Sequence, residues 1–461
     1  MAEHIVKFDT ASEPILVPTG TLIIEAAQKA GVEISQPCGG QGRCGRCAVK
    51  IEDGSVRRRS TLRLSAEDVE NGYALACQTV IEGDVSISVP PQEKIERRLT
   101  TDRTVAEVSV PAGYKPLEGQ TIRRIPLTLS PPSMDDQTDD WSRLQTAIRK
   151  EAGVSELRAS LEMLRELGDL LREGDWQVTA TLNSRTWDCP DCPAQLLDLQ
   201  PGHVPADAPL WGAAVDIGTT TVSVWLVDLL SGNVRAQVAE YNQQISRGED
   251  VISRIIVAGK EGGAQVMQDL VLGSINELLE RACKRVNAQM SDVVKVTIAG
   301  NSTMMHLLLG IPANSIRLTP FVTAINHIPP LTALEVRLDV HPKAVVDCLP
   351  GVASYVGADI TAGTLSSGMT DSEQLTLFLD VGTNGETVLG SQDFLVTCAC
   401  SAGPAFEGAG VLHGMRATSG AIEEVWVNGE NYEPTFRVIG NRKPRGLCGS
   451  GLISLLSEMF L

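Results

Sequence analysis

Four cysteines near the start of the chain have a spacing that suits a metal cluster. They follow the pattern Cys38-x5-Cys44-x2-Cys47-x29-Cys77, and glycines 39, 40, 42 and 45 lie among the first three. Two irons bridged by sulfides need four thiolates that converge from one loop and one distant element. Glycines let such a loop bring backbone N–H groups against the sulfurs. We therefore predict a [2Fe-2S] cluster on these four thiolates; four buried free thiols are the alternative.

The elements before this loop favour a small electron-carrier domain. Residues 4–9 and 13–17 alternate as two short strands, and an apolar helix face follows and ends at Gly31. The cysteine pattern has one residue more in its first gap than the plant-type C-x4-C-x2-C…C pattern. It resembles another branch of [2Fe-2S] ferredoxins, and the order of elements resembles the β-grasp ferredoxin domain. Such a domain carries one electron at low potential, roughly −400 mV for plant-type centres.

A second chemical pattern occurs twice. Residues 213–229 read AAVDIGTTTVSVWLVDL and residues 375–389 read LTLFLDVGTNGETVL. Each copy is an apolar strand ending in Asp, a Gly-Thr turn and a second strand. Glycines let backbone N–H groups approach phosphate oxygens, threonine hydroxyls add donors, and each Asp can hold Mg²⁺ through water. Two such hairpins facing each other predict a triphosphate site.

The residues between the two copies predict the rest of one lobe. Residues 295–310 read as strand, turn and helix with Asn301 at the cap, and residues 242–255 open another helix with Glu249 and Asp250 at its start. Gly357-Ala-Asp359 falls where this half should end. Together these elements are typical of a ribonuclease-H-like half.

Composition narrows the class of protein. The chain has 461 residues and a net charge of −18, from 39 basic and 57 acidic residues. This charge argues against general binding to nucleic acid or anionic lipid. No apolar run of ~18 residues and no secretory signal occurs, so no membrane partner is expected. Eleven cysteines, most of them unevenly scattered, fit a reducing cytoplasm better than a disulfide framework.

The predicted organisation is an α+β and α/β multidomain protein. We expect a [2Fe-2S] domain over 1–90, a linker with a short strand at 105–110 over 91–126, a small middle domain over 127–210 and an ATPase-type domain over 211–461. Leucines at helical spacing between 157 and 171 predict a core face of the middle domain. Cys189-x2-Cys192 is half of a zinc knuckle, but without a second pair nearby, surface or packed thiols are favoured.

The duplicated hairpins resemble those of the superfamily of sugar and acetate kinases, seventy-kilodalton heat-shock proteins and actin. More narrowly, a [2Fe-2S] domain fused to this ATPase resembles the reductive activators of corrinoid proteins. The segments similar to that family are NQQISRGEDVISRI, VTIAGNSTMMHLLLG, FLDVGTNGE, CSAGPAFEG and GLCGSGLISLL. The resemblance covers nearly the whole chain and is weak over 90–210.

This resemblance implies that ATP drives the uphill one-electron reduction of a Co(II) corrinoid protein to Co(I), with the [2Fe-2S] cluster as donor. A corrinoid protein and a low-potential electron donor are the implied partners, and the oligomeric state, a homodimer included, stays open. The residues implied for phosphate and Mg²⁺ are Asp216, Gly218, Thr219 and Thr220 in one lobe and Asp380, Gly382, Thr383 and Asn384 in the other. Glu249 or Glu386 would orient the attacking water, and Gly449 and Ser450 would begin a helix near the nucleotide.

Two other functions stay open at this point. One is a redox-sensing ATP-binding module of regulatory or chaperone-like type. The other is an electron-donating ATPase for another low-potential reductase, in which Cys398, Cys400 and Cys448 would hold a [4Fe-4S] cluster; packed small side chains are the favoured interpretation of these three. The second half of the ATPase repeat, 375–461, is much shorter than the first, 212–374, so we expect it to be incomplete.

Overall fold

The computed structural model describes residues 2–36, 40, 42, 45–61, 63–91, 115, 119–184, 192–382, 384–400, 413–415, 417–429 and 431–460. Several sequence predictions therefore fall outside the described residues. They are the cluster ligands Cys38 and Cys44, the strand at 105–110, Cys189 and Thr383.

The first domain is a five-stranded sheet with one main helix packed on it. The strand order is β2-β1-β5-β3-β4, with β1 antiparallel to β2 and parallel to β5. The predicted strand pair and the helix before Gly31 are confirmed. The elements are β1 (Glu3–Phe8), β2 (Ile15–Pro18), α1 (Ile23–Lys29), β3 (Ala48–Arg58), α2 (Ala66–Glu70), β4 (Tyr73–Leu75) and β5 (Thr79–Ser88).

The second domain is a four-stranded sheet of order β6-β8-β9-β7 covered by two helices. Its elements are β6 (Ile122–Thr128), α3 (Asp140–Ala152), β7 (Leu157–Arg158), α4 (Leu161–Glu173), β8 (Gln177–Asn183) and β9 (Ala194–Pro201). The predicted leucine stripe is only partly a core face. Leu167 and Leu171 are buried, whereas Leu161 and Leu164 are exposed. Met163 takes the third buried position of α4, because the buried residues of this helix recur every four positions, at 163, 167 and 171.

The third region is a six-stranded sheet of order β12-β11-β10-β13-β15-β14 with helices around it. Its elements are β10 (Trp211–Ile217), β11 (Thr221–Asp228), β12 (Asn233–Tyr241), α5 (Val251–Ala258), α6 (Gly263–Val286), β13 (Val293–Gly300), α7 (Ser302–Leu308), β14 (Leu331–Thr332), α8 (Ala333–Val336), β15 (Val345–Cys348) and α9 (Ala358–Ser367). The long helix α6 packs on β11 and β12 and supplies much of the core. Asn301 caps α7 by accepting the Met304 N–H at 3.0 Å, as predicted.

The last region has two three-stranded sheets and a final helix. Its elements are β16 (Thr376–Val381), β17 (Gly385–Ser391), β18 (Phe394–Cys400), β19 (Ala421–Val427), β20 (Pro434–Val438), β21 (Gly446–Leu447) and α10 (Gly449–Phe460). The sheet orders are β16-β17-β18 and β20-β19-β21. The helix predicted to begin at Gly449 is confirmed. Cys398 and Cys400 are exposed on β18, so their interpretation as packed side chains is wrong, while Cys448 is buried as expected.

A shared apolar seam joins the second domain to the six-stranded sheet. It consists of Ile122, Leu197, Leu210, Leu229, Val294 and Val345. Lys295 reinforces the seam, because its ammonium donates to Thr121 Oγ1 at 2.6 Å and lies 3.1 Å from the Asp347 carboxylate.

Two further features bear on the sequence predictions. None of the helices in the described part of the chain combines the length and apolar character needed to cross a membrane. Cys192 is disulfide-bonded, so the interpretation of this residue as a free surface or packed thiol is wrong.

Candidate functional site

The two described cluster cysteines lie side by side. Cys47 ends the loop before β3, and Cys77 lies in the short turn before β5; both are buried, and their sulfurs are 3.3 Å apart. The Ala76 N–H donates to the Cys47 carbonyl at 2.9 Å and fixes this approach. At metal–sulfur distances of about 2.3 Å, two thiolates on one tetrahedral ion lie about 3.8 Å apart. This thiol pair therefore fits one iron of a cluster.

Glycines shape the loop that leads to Cys47. Gly40, Gly42 and Gly45 all have positive φ, at 84°, 71° and 75°. A Cβ on Gly42 would lie 2.8 Å from the Gln78 side chain, which itself donates to the Gly40 carbonyl at 2.8 Å. The loop thus needs glycine both for its backbone conformation and for the room beside Gln78.

In the first hairpin, β10–β11, the carbonyl oxygens of turn residues 218–220 all accept hydrogen bonds from two buried side chains and one backbone N–H. Asn242 donates from Nδ2 to the Gly218 carbonyl at 2.9 Å and from its N–H to the Thr220 carbonyl at 2.8 Å. Arg254 Nη2 donates to the Thr219 carbonyl between them. Asn242 and Arg254 are both buried, so three successive carbonyls point into the protein. Because carbonyl oxygens repel phosphate, this arrangement suits a phosphate-binding turn.

The second hairpin has the same order of elements as the first, but its turn is one residue shorter. Ile217 pairs with Val222 in the first hairpin, whereas Val381 pairs with Gly385 in the second. Accordingly, Gly218 N–H donates to a carbonyl three residues on at 2.9 Å, and Gly382 N–H donates to a carbonyl two residues on at 2.8 Å. Asp380 ends β16 as Asp216 ends β10. The copies differ across the strand pair, because Glu386 lies opposite Asp380 whereas Ser223 lies opposite Asp216. The predicted duplication is therefore present in three dimensions, with an additional acid in the second copy.

Four carboxylates from different elements influence one another. Burial, together with the charges of Asp359 and Asp380, raises the pKa of Asp216 to about 6. Burial and then the Asp380 charge raise the pKa of Asp359 to about 6, against the N–H that Ile360 donates. Burial followed by the charges of Asp359 and Asp380 raises the pKa of Glu386 to about 7, against a hydrogen bond with Asn384. The two hairpins and the start of α9 thus face one acidic site.

Asp359 was not among the residues predicted for the site. Asp359 is the second residue of α9 and follows the N-cap residue Gly357 by two positions. A Cβ on Gly357 would lie 2.5 Å from Asn301 Cα and 2.7 Å from Asp359 Oδ1. The sequence signal was the Gly-x-Asp at the predicted end of the first half. Only the folded chain places that acid against the two hairpins.

Other predicted residues lie elsewhere or have other partners. Glu249 is not among the charges that act on Asp216, and its carboxylate lies 3.6 Å from the Arg46 guanidinium of the first domain. Gly449 and Ser450 open α10, and the Ser450 hydroxyl is 3.2 Å from Cys448 Sγ. The catalytic role of Glu249 and the nucleotide contact of Gly449 and Ser450 stay predictions.

The acidic site suits a hydrated cation better than a bare metal cage. Within the described residues, no group of three or more His, Cys, Asp or Glu side chains is arranged to hold an ion directly. Mg²⁺ usually keeps several waters and binds one or two carboxylates together with phosphate oxygens. Burial and neighbouring negative charges raise the pKa values of Asp216, Asp359 and Glu386. A bound cation would therefore stabilise the ionised form of these carboxylates.

The fold and the site define a class: a small domain with a buried cysteine pair, joined to an ATPase-type fold whose two Asp-Gly-Thr hairpins face one acidic site. Comparisons with known proteins agree. Family models match as the 2Fe-2S iron-sulfur cluster binding domain over residues 9–82, the RACo linker region over 120–205, the RACo middle region over 211–372 and the C-terminal domain of RACo, the ASKHA domain, over 374–461.

Two of three relatives match almost the whole chain, and the third matches about half of it. The solved structure of a reductive activator for corrinoid,iron-sulfur protein is 38% identical, with a TM-score of 0.65, and the match covers 99% of this chain and 72% of that one. The corrinoid activation enzyme RamQ of Eubacterium limosum is 29% identical over 99% of this chain and 70% of its own length. The [Co(II) methylated amine-specific corrinoid protein] reductase of Methanosarcina barkeri is 25% identical over 48% of this chain and 42% of its own length.

The chain belongs to the family of reductive activators of corrinoid proteins. This membership confirms the resemblance and the fold class predicted from the sequence, namely a [2Fe-2S] ferredoxin domain joined through a linker and a small middle domain to an ATPase domain of the actin-like type. The RACo linker region largely covers the predicted small middle domain, and the RACo middle region lies within the predicted ATPase domain. The domain boundaries predicted at 90, 126 and 210 stay predictions.

Proposed function

We propose that this protein uses ATP to drive one electron from its [2Fe-2S] cluster to the cobalt of a Co(II) corrinoid protein, which becomes Co(I). The observation that carries the proposal is the combination, within one chain of this family, of a cluster-binding domain and two phosphate hairpins that face a shared acidic site. A separate low-potential donor then reduces the cluster again. We place the reaction in the cytoplasm, where thiols stay reduced.

The cluster, when bound, supplies a single electron at low potential. Cys38, Cys44, Cys47 and Cys77 are proposed to hold it. Transfer from such a donor is still uphill when the cobalt has the lower potential, and each ~59 mV of one-electron gap costs a factor of ten in the equilibrium constant. Conformational preference for ATP over ADP can offset that gap, because a ligand shifts an equilibrium by its difference in affinity for the two states.

The chain's own residues bind and orient the triphosphate. The turns that begin at Gly218 and Gly382 are proposed to hold the phosphates from opposite lobes. Because the N–H groups of both glycines donate within the turns, the donors to phosphate are proposed to come from residues 219, 220, 383 and 384. Asp216 and Asp380 are proposed to hold hydrated Mg²⁺ between them. Glu386, with its pKa raised to about 7, is suited to accept a proton from the water that attacks the terminal phosphate.

The test combines this protein with a chemical reductant, a Co(II) corrinoid protein and ATP, and follows the absorption band of Co(I). The band should form with ATP and not with a non-hydrolysable analogue. Cys47→Ser should abolish the band while ATP hydrolysis continues, and Cys398→Ser, at an exposed thiol outside the cluster set, serves as the matched control. A band that forms equally without ATP, or with no corrinoid protein at all, contradicts the proposal. ATP hydrolysis that instead follows the redox state of the cluster would favour the redox-sensing alternative.

A further inference from the structure

Two residues of the first domain, one before and one after the segment with the first cluster cysteines, contact one segment of the ATPase. The Gln36 N–H donates to the Ser246 carbonyl at 3.5 Å. The Arg46 guanidinium lies 3.6 Å from the Glu249 carboxylate, and their side chains are 55% and 28% exposed. Residue 46 directly precedes a cluster cysteine. We call residues 242–254 of the ATPase the relay segment, since its central part makes these contacts.

Both ends of the relay segment hold the phosphate-binding turn. Asn242, its first residue, donates to two carbonyls of the turn 218–220, and Arg254, its last residue, donates to the carbonyl between them. Arg254 also contacts two other residues of the relay segment. Its Nε donates to the Gly248 carbonyl at 2.9 Å, and its Nη1 donates to Gln244 Oε1 at 3.1 Å. The buried guanidinium thus connects the turn to the residue that precedes the interdomain ion pair.

We propose that the relay segment couples nucleotide binding at the first hairpin to docking of the cluster loop, with Asn242 and Arg254 as the positioning residues. The inference rests on the proposed function, since it takes the first hairpin to bind ATP. It adds a specific role for the Arg46–Glu249 contact, which is to favour the conformation of the turn that binds phosphate. Glu249 then serves docking rather than the orientation of water.

The direction of the coupling follows from the hydrogen bonds. In the docked arrangement the relay segment holds all three turn carbonyls away from the phosphate position, so docking favours ATP binding. By linkage, ATP must then favour docking by the same factor. Loss of the interdomain ion pair should weaken ATP binding although Arg46 belongs to another domain.

The first experiment measures the Kd of a non-hydrolysable ATP analogue with Mg²⁺ by calorimetry on protein of matched iron content. Arg46→Glu should raise this Kd about fivefold, since exposed ion pairs contribute up to ~1 kcal/mol. The exchanged pair Arg46→Glu with Glu249→Arg should restore it. Arg57→Glu is the matched control, because Arg57 pairs at 2.7 Å with Glu82 inside its own domain and should leave the Kd unchanged.

The second experiment needs no variant. Hydrogen–deuterium exchange of the peptide that contains Gln36 should slow when the analogue binds the wild-type protein. An unchanged Kd in Arg46→Glu, or unchanged exchange at Gln36 with analogue bound, overturns the coupling and leaves the proposed function intact. A wild-type protein that does not bind the analogue at all overturns both.

Discussion

Neutralising Asp359 should stabilise the nucleotide-free protein and impair ATP hydrolysis. The pKa of Asp359 is raised from 3.8 to about 6, and each unit corresponds to ~1.4 kcal/mol. The ionised carboxylate therefore costs the native state about 3 kcal/mol at pH 8, where Asp359 is ionised in both native and unfolded states. Asp359→Asn removes that cost and keeps an oxygen that can accept the Ile360 N–H, now at 2.9 Å.

The stability difference between Asp359→Asn and the wild-type protein should depend on pH. A carboxyl group with a raised pKa binds more protons in the native state, so its cost is small below about pH 4 and complete above about pH 7. Thermal denaturation should show a gain in Tm of about 6–12 °C at pH 8 for the Asp359→Asn variant and roughly half that gain at pH 5. ATP hydrolysis at pH 8 should fall at least about tenfold if Asp359 acts on the bound nucleotide.

The control for this experiment is Asp371→Asn, which neutralises an exposed acid and should change stability by less than ~0.5 kcal/mol. Two results would refute the idea that burial and repulsion raise the pKa of Asp359. One is an Asp359→Asn variant that is less stable than the wild-type protein at pH 8, and the other is a variant whose Tm rises as much at pH 5 as at pH 8.

Three further predictions follow from the same geometry. Gly357→Ala should lower stability by about 1–3 kcal/mol and reduce ATP hydrolysis, because its Cβ would meet the Asn301 backbone at 2.5 Å; thermal denaturation checks it, with Gly429→Ala, in open space, as control. Cys77→Ser should remove the visible absorption and electron paramagnetic resonance signal of the reduced cluster, and retention of both would contradict the ligand assignment. Binding of Mg²⁺-ATP should tighten from pH 5.5 to pH 8, since Asp216, Asp359 and Glu386 ionise with pKa values of about 6 to about 7; a flat Kd over this range would count against their role.

Local patterns predicted the parts of the site that are continuous in sequence. Both hairpins follow from apolar strands that close on an Asp and a Gly-Thr turn, and Asn301 follows from its position before a helix. The helix in 161–173 was also predicted, but its buried face was not, since a repeat of leucines cannot show that Met163 packs inward while Leu161 and Leu164 face solvent.

The parts that depend on distant contacts could not be predicted in this way. Asp359 joins the site only because α9 starts against Asn301 and Ser302 at the start of α7. The family resemblance offered Glu249 as a residue to orient water, whereas its observed partner, Arg46, lies in another domain and could not be found from the local sequence. Buried Arg254 is an ordinary helix residue in the sequence, and its contact with the Thr219 carbonyl emerges only from the fold.

The apolar seam between the second domain and the six-stranded sheet affects how the protein can be divided into fragments. Leu210, Leu229, Val294 and Val345 are buried there against Ile122 and Leu197. A fragment that starts at residue 211 lacks Ile122, Leu197 and Leu210 and would expose Leu229, Val294 and Val345 to water, at about 25 cal/mol for each Å² of apolar surface uncovered. Such a fragment should therefore be less stable than the intact protein, and fragments meant to isolate the ATPase should begin before Ile122.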